Sequence, residues 1–272
     1  MINYEQYLRT EKLPLIWCPG CGHGIVMKAL LRAVHEAQLD KDKVCMVSGI
    51  GCSSRLTGYV DFNTLHTTHG RAIAFATGIK MARPEMHVIV ITGDGDASSI
   101  GGNHLIHAAR RNIDLTVVLF NNQIYGMTGG QVSPTTPYNA YASTAPYGSF
   151  ENNFDIPQLV EAAGASFVAR GTAYHAMPLT NYIVKAIDRK GFSLVEALSP
   201  CPTTFGRRNK QGDGVKMLQR QKDHTISQRK AESMPDSELN DKIITGIFVD
   251  IQKPECREEY QKLIDHKKGK GA

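Results

Sequence analysis

"HVIVITGDGD", residues 87–96, is the stretch on which the fold turns. Val88, Ile89, Val90 and Ile91 follow one another without a polar gap. A strand with one face in water would alternate; an unbroken β-branched run belongs to a strand covered on both faces, as in parallel sheets. The run stops at Thr92 and gives way to Gly93-Asp94-Gly95-Asp96. Downstream, "LTVVLF" (115–120) repeats the pattern and stops at "NNQ". "NHLIHAARRN" (103–112), between them, has helical spacing, so 87–120 reads as strand, helix, strand.

The same alternation extends both ways. Upstream, "IVMKALLRAVHEA" (25–37) sets Ile25, Val26, Ala29, Leu30, Ala33 and Val34 on one helical face. "KVCMVSGIG" is a strand over 44–48 running into a glycine loop, and "GRAIAFATGIKMA" (70–82) is a small-residue helix stopped before Pro84. After a turn-rich stretch (128–153), "IPQLVEAAG", "ASFVA", "AMPLTNYIVKAIDRK" and "FSLVEAL" continue helix, strand, helix, strand. The fold class is therefore α/β: a mostly parallel sheet with helices on both faces. One domain over 1–206 is expected, followed by a basic, helical extension over 207–272 that packs on the domain or on a partner subunit.

In a parallel sheet the strand C-termini share one edge, where ligands bind. Cys52, Asp94, Asn122 and Cys201 each follow a strand, so they should gather on one rim. The loop "WCPGCGHG" (17–24), held there by its following helix, would bring Cys18 and Cys21 to the same place. Of the six cysteines, Cys45 lies in an apolar run and reads as a buried small hydrophobe, and Cys256 in a polar helix as inert. Cys18, Cys21, Cys52 and Cys201 remain as a possible four-thiolate site.

Composition bounds the rest. In 272 residues, 42% are hydrophobic and 21% charged, which suits a folded globular chain. No apolar run approaches the roughly 20 residues a membrane span needs, and "MINYEQYLRTEKLP" lacks a signal-peptide apolar region, so a cytoplasmic protein without a membrane partner is expected. The formal charge of +5 is concentrated: residues 207–230 hold eight Lys/Arg against two Asp. Such a segment can attract nucleic acid, a membrane surface or an acidic protein, or can be a solvated arm. The motifs below favour the acidic protein, and no nucleic-acid partner is expected.

Gly93 and Gly95 let backbone approach a phosphate closely. Asp94 is a hard oxygen ligand suited to Mg²⁺, and Asn122 with the Ile124 carbonyl can complete the protein share of an octahedron. A lone GDG is as often a plain turn; GDG and NN, each ending a buried strand, raise the metal–diphosphate reading above it. The four cysteines suit either a structural zinc or an iron–sulfur centre.

The GDG–NN pair resembles the thiamine diphosphate motif. Together with "CPGCGHG", "GIGCSS", "THGRAIAFATGIK", "GDGDASSIGGNHLIHAARRNIDLTVVLFNNQIYGMTGGQ" and "FGRRNKQGD", over roughly residues 10–225, it resembles the β subunits of 2-oxoacid:ferredoxin oxidoreductases, nearest their 2-oxoglutarate (2-oxoglutarate synthase) branch. The resemblance implies a thiamine-diphosphate-binding fold carrying thiamine diphosphate, Mg²⁺ and one 4Fe–4S cluster. It implies cluster ligands Cys18, Cys21, Cys52 and Cys201, and Mg²⁺ on Asp94, Asn122 and Ile124. The diphosphate would meet Gly93, Gly95, Asp96, Gly126, Met127 and Thr128. Ile50, Gly51, Cys52, Ser53 and His69 would border the thiazolium, and Arg55 would stand near the 2-oxoacid carboxylate. His69 and Arg55 are the catalytic candidates.

The implied reaction is decarboxylation of a 2-oxoacid, with coenzyme A taking the acyl group and electrons leaving singly through the cluster to ferredoxin, reversible in principle. The chain has no second α/β domain to supply the Glu that thiamine catalysis sets against the aminopyrimidine. A separate α subunit would provide it and most substrate contacts, in an (αβ)₂ or larger assembly. Gly129 stands where some relatives carry Lys. The basic 207–230 segment could steer ferredoxin. Two other readings are a thiamine-dependent decarboxylase subunit with structural zinc, and a non-catalytic iron–sulfur or zinc module. Of the rest, His23 is expected to be a loop donor, His66 a surface residue, Tyr125 a packing residue, and "HKKGKGA" (266–272) a disordered tail.

Overall fold

The computed structural model describes residues 2–269. The helices are α1 (His23–Glu36), α2 (Leu56–Tyr59), α3 (Ala72–Ala82), α4 (Gly102–Arg110), α5 (Ile156–Ala163), α6 (Ala176–Asp188), α7 (Gly214–His224), α8 (Gln228–Ala231), α9 (Asp236–Leu239) and α10 (Cys256–Gly269). The strands are β1 (Val44–Ser48), β2 (Asn63–His66), β3 (His87–Gly93), β4 (Thr116–Asn121), β5 (Phe167–Thr172), β6 (Ser193–Leu198), β7 (Thr225–Ser227) and β8 (Ile243–Asp250). They form one sheet in the order β2-β1-β3-β4-β6-β5-β8-β7. Every pairing is parallel except β5 with β8.

The unbroken apolar runs are split by the pleat. Ile89 and Ile91 pack with α1 and α6 on one face, where Leu30, Val34, Leu179 and Ile183 are buried. Val88 and Val90 pack with α3, α4 and α5 on the other, against Ile73, Leu105 and Val160. Each fully buried Ile or Val contributes about 1.5–3 kcal/mol, so the two layers together carry most of the burial. Helix ends follow local chemistry: Asp155 caps α5 by accepting the Gln158 N–H at 3.1 Å, Pro157 sits in the first turn, and Gly164 closes it at φ 98°.

The chain leaves β1 to one side for β2 and returns on the other side for β3. The crevice at the C-terminal ends of β1 and β3 is therefore a topological switch point, the place where such sheets hold ligands. The loops Gly49–Cys52 and Gly93–Asp96 both open there.

The extension beyond 206 is not purely helical. β8 joins the sheet antiparallel to β5, with Arg170 opposite Gly246 and Phe167 opposite Asp250, and β7 adds to it in parallel. The strand was hidden because Gly246, at φ 148°, interrupts its apolar pattern and it is mostly half-buried. The end of the chain also differs from expectation: α10 continues through His266–Gly269, while 270–272 lie outside the described residues. Cys45 is buried, and Cys256 packs on the same layer from the start of α10.

Candidate active site

The crevice is lined by residues from four strand ends. The predicted Ile50, Gly51, Cys52, Ser53, His69, Gly93, Asp94, Gly95, Asp96, Asn122, Ile124, Gly126, Met127 and Thr128 all face it, joined by His23, Phe120 and Tyr125. Arg55 does not; it is exposed on the turn Ser53–Arg55 beside the cleft loop.

Asp96 organises the loops. Its buried carboxylate accepts the Gly70 N–H at 2.8 Å, the Ile50 N–H at 3.2 Å, the Thr92 hydroxyl at 2.7 Å and His69 Nδ1 at 2.5 Å. With four protein donors on it, the side chain has little capacity left for a ligand, so any phosphate contact at this position falls to backbone. The loop after β1 rides directly on it: a Cβ on Gly49 would stand 2.1 Å from Asp96 Oδ2. With Nδ1–H committed to Asp96, His69 keeps Nε2 for the cleft. Tyr125 packs the loop as expected; its hydroxyl donates to the Gly95 carbonyl at 3.2 Å, and a Cβ on Gly95 would strike its ring at 2.3 Å.

Asp94 is the buried acid. Ser133 Oγ and Thr135 Oγ1 both donate to its Oδ2 at 2.6 Å, which leaves Oδ1 unclaimed by them. Burial raises the carboxyl to about 6, against the lowering effect of those two hydroxyls. As placed, the Asn122 side-chain oxygen lies 3.1 Å from Asp94 Oδ1 and 2.7 Å from the Ile124 carbonyl. Three oxygens facing one another repel. Turning the amide over would let its NH₂ bridge both acceptors, and a cation among the three would equally relieve them. Ligand oxygens about 2.0–2.1 Å from Mg²⁺ stand about 3 Å apart at neighbouring corners of an octahedron, so this donor set fits that ion. Ser133 and Thr135 were not legible in the sequence, where they sit among turn residues about 40 positions beyond Asp94.

Of the four predicted thiols only Cys52 lines the crevice; Cys18, Cys21 and Cys201 lie near it on two other segments. The Gly22 N–H donates to the Pro200 carbonyl at 3.0 Å, tying the 18–21 loop to the segment carrying Cys201. Trp17 Nε1 donates to the Cys52 carbonyl at 2.7 Å, tying it to the cleft loop. Cys201 Sγ and Thr204 Oγ1 are 2.8 Å apart. Burial pushes the Cys21 thiol up to about 12, and the charges of Cys201, Cys52 and Cys18 add to this while the His23 N–H opposes it. Cys52 rises to about 11, again chiefly by burial and then by Cys201 and Cys18, against the Met127 N–H and Arg55. Cys21 and Cys52 thus each feel neighbouring thiolates. Among the described residues, however, no three Cys, His, Asp or Glu side chains are close enough to hold one metal ion.

Cys52 and Gly126 connect the two ends. Cys52 lines the cleft and belongs to the thiol group. The position of a Cβ on Gly126 would be 3.6 Å from Asn122 Nδ2, 3.6 Å from Cys52 Sγ and 3.7 Å from Cys201 Sγ. His23 is a buried donor or acceptor, with Nδ1 2.7 Å from Ser199 Oγ and its ring edge-on to Phe120; burial lowers it to about 4, so it is neutral. His66 is exposed.

The family model for the "Thiamine pyrophosphate enzyme, C-terminal TPP binding domain" matches residues 49–197, from the loop after β1 into β6. Residues 49–197 are thus a thiamine pyrophosphate-binding domain, and most of the crevice lining falls within them. The chain is 53% identical to 2-oxoglutarate synthase subunit KorB of Methanothermobacter marburgensis, covering 98% of this chain and 94% of that one. It is 55% identical to the subunit of the same name from Methanocaldococcus jannaschii, covering 96% of each. A solved structure, 2-oxoglutarate:ferredoxin oxidoreductase from Magnetococcus marinus with 2-oxoglutarate, coenzyme A and succinyl-CoA bound, superposes with a TM-score of 0.85 at 33% identity, covering 97% of this chain and 90% of that one. The chain belongs to the β subunits of the 2-oxoacid:ferredoxin oxidoreductases, and is an enzyme subunit.

Proposed function

We propose that this subunit holds Mg²⁺, thiamine diphosphate and one 4Fe–4S cluster, and works with an α subunit to convert 2-oxoglutarate and coenzyme A to succinyl-CoA and CO₂ while two ferredoxins are each reduced by one electron, with release of a proton. The substrate follows the names of the similar subunits. The observation that carries the reading is the position of Cys52, which faces both the oxygen-lined cleft and the thiol group.

Asp94, Asn122 and the Ile124 carbonyl hold the cation. Backbone at Gly93, Gly95 and Asp96, with Gly126, Met127 and Thr128, takes the diphosphate. Ile50, Gly51, Cys52, Ser53 and His69 border the reactive ring. Thiamine diphosphate supplies, when bound, an electron sink for decarboxylation, and the cluster a one-electron outlet. Around them the chain's own residues act: Asp96 fixes the His69 tautomer and the two loops, His23 stays uncharged beside Phe120, and Arg55 offers a cation outside the cleft to a substrate carboxylate.

The α subunit supplies the aminopyrimidine Glu and most substrate contacts, in an (αβ)₂ or larger cytoplasmic assembly. The excursion 133–154 supports a partner surface: it is pinned to Asp94 at its base yet exposes Tyr147 at 96% and Phe150 at 82%.

The chain co-expressed anaerobically with its α subunit is expected to reduce viologen only when 2-oxoglutarate, coenzyme A and Mg²⁺–thiamine diphosphate are all present, faster than with pyruvate. Decarboxylation without viologen reduction would instead favour the zinc-bearing decarboxylase.

A further inference from the structure

The electrons must leave by some face, and the four thiols are not equally placed: Cys18 is exposed, whereas Cys21, Cys52 and Cys201 are half-buried. We propose that the surface around Cys18, between Ile16 and the groove of residues 202–213, is the docking face for an acidic one-electron carrier protein of the ferredoxin class. The proposal rests on the iron–sulfur reading above and adds the place of exit and the groups that recognise the partner.

Three observations define the face. The 18–21 loop packs on the basic segment: a Cβ on Gly20 would be 3.2 Å from Gly214 Cα and 3.4 Å from Pro202 Cγ. An open groove lined by Pro202, Thr203, Gly206, Arg207, Lys210, Gly212 and Asp213 adjoins that contact. The cations in and beside it are available: Arg207 and Lys210 line it, Lys216 lies next to its Gly212, and all three are exposed and enter no ion pair among the described residues. Farther along the same segment, Arg220 pairs with Asp241 and His224 lies 2.9 Å from that carboxylate. Asp213 is the acid of the groove, and it is engaged in capping α7 through the Lys216 N–H at 2.9 Å.

Apolar side chains flank the exit. Ile16, two residues before Cys18, is 63% exposed, and Val215, next to the Gly214 contact, is 75% exposed. Exposed apolar groups with a cationic rim suit a transient complex: the charges steer an acidic partner and the apolar contacts seat it while water is excluded near the thiolate. Nucleic acid would use the cations but has no use for apolar residues beside a redox ligand.

The test uses the assembled enzyme and two acceptors. In the double variant Arg207→Gln/Lys210→Asn, Asn suits the positive φ of 53° at position 210. The expected result is a kcat/KM for ferredoxin reduced about tenfold at low salt, a flatter salt dependence, and an unchanged rate with methyl viologen, which needs no docking face. Val215→Ser should lower the ferredoxin rate without changing its salt dependence. Unchanged ferredoxin kinetics and salt dependence in the double variant would overturn the docking face, as would loss of retained nucleic acid in its place. A viologen rate that fell equally would show damage at the centre and also overturn it. A parent enzyme with normal decarboxylation but no reduction of either acceptor would overturn the iron–sulfur reading itself.

Discussion

The oxygen-lined crevice and the thiol group beside it, two ends joined at Cys52, are built on opposite principles. The oxygen end is assembled before any ligand arrives: Asp94 is oriented by two hydroxyls at 2.6 Å, and Asn122 and Ile124 follow within one turn of β4. Asp94, raised to about 6, is mostly ionised at neutral pH. The sulfur end draws Cys18, Cys21, Cys52 and Cys201 from three distant segments, and burial with mutual repulsion holds Cys21 and Cys52 protonated far above neutrality. Oxygen ligands can wait for a cation; buried thiols need the bound centre to lose their protons. The difference teaches that a cation should exchange freely here, whereas the thiol-bound centre should be assembled once and kept.

The largest effect should separate the two ends outright. Asp94→Ala is expected to abolish Mg²⁺-dependent thiamine diphosphate binding, measured by calorimetry, while iron content stays at the parent value. Equal loss of iron would make the two ends one site. The converse variant, Cys201→Ser, should lose the iron while the thiamine diphosphate dissociation constant moves less than about threefold, because Cys201 lies outside the cleft lining.

A smaller effect follows from protons. With Asp94 raised to about 6, H⁺ competes with the cation, so Mg²⁺ affinity should fall about tenfold per pH unit below that value and level off above it. In the cation-free chain the same group acts oppositely. Its folded-state value lies above the ordinary 3.8, so its contribution to stability is fully present below that pH and is lost as pH rises through about 6. Thermal unfolding with and without Mg²⁺ across pH 4–8 reads both trends. The smallest effect belongs to the supporting hydroxyls: Thr135→Val should weaken cation retention about tenfold, since a hydrogen bond to a charged group is worth about 1.5–3 kcal/mol, and Thr135→Ser should restore it.

Much of this was legible because buried strands announce themselves. Val88–Ile91 and Val117–Phe120 have no polar gap, and glycine with acid or amide at their ends marked the rim. The edges were not legible. β2, "NTLH", is mostly exposed and has no apolar pattern, and β8 is broken by Gly246. At the site, residue type pointed to Asp94, Asn122 and the four cysteines, since few side chains have their ligand chemistry. It did not point to Ser133 and Thr135, whose role depends on a return of the chain that no local pattern encodes. Asp96 shows the opposite difficulty: an acid in a phosphate-type loop, whose carboxylate is taken up by Ile50, Gly70, His69 and Thr92.

The central claim is that the thiol end holds an iron–sulfur cluster next to the cation-anchored cofactor. Iron, acid-labile sulfide and zinc analysis of anaerobically purified protein, with its electron paramagnetic resonance after dithionite reduction, tests it most directly. The account predicts about four irons and four sulfides per chain and a reduced-cluster signal. One zinc per chain, with neither sulfide nor signal, would contradict it.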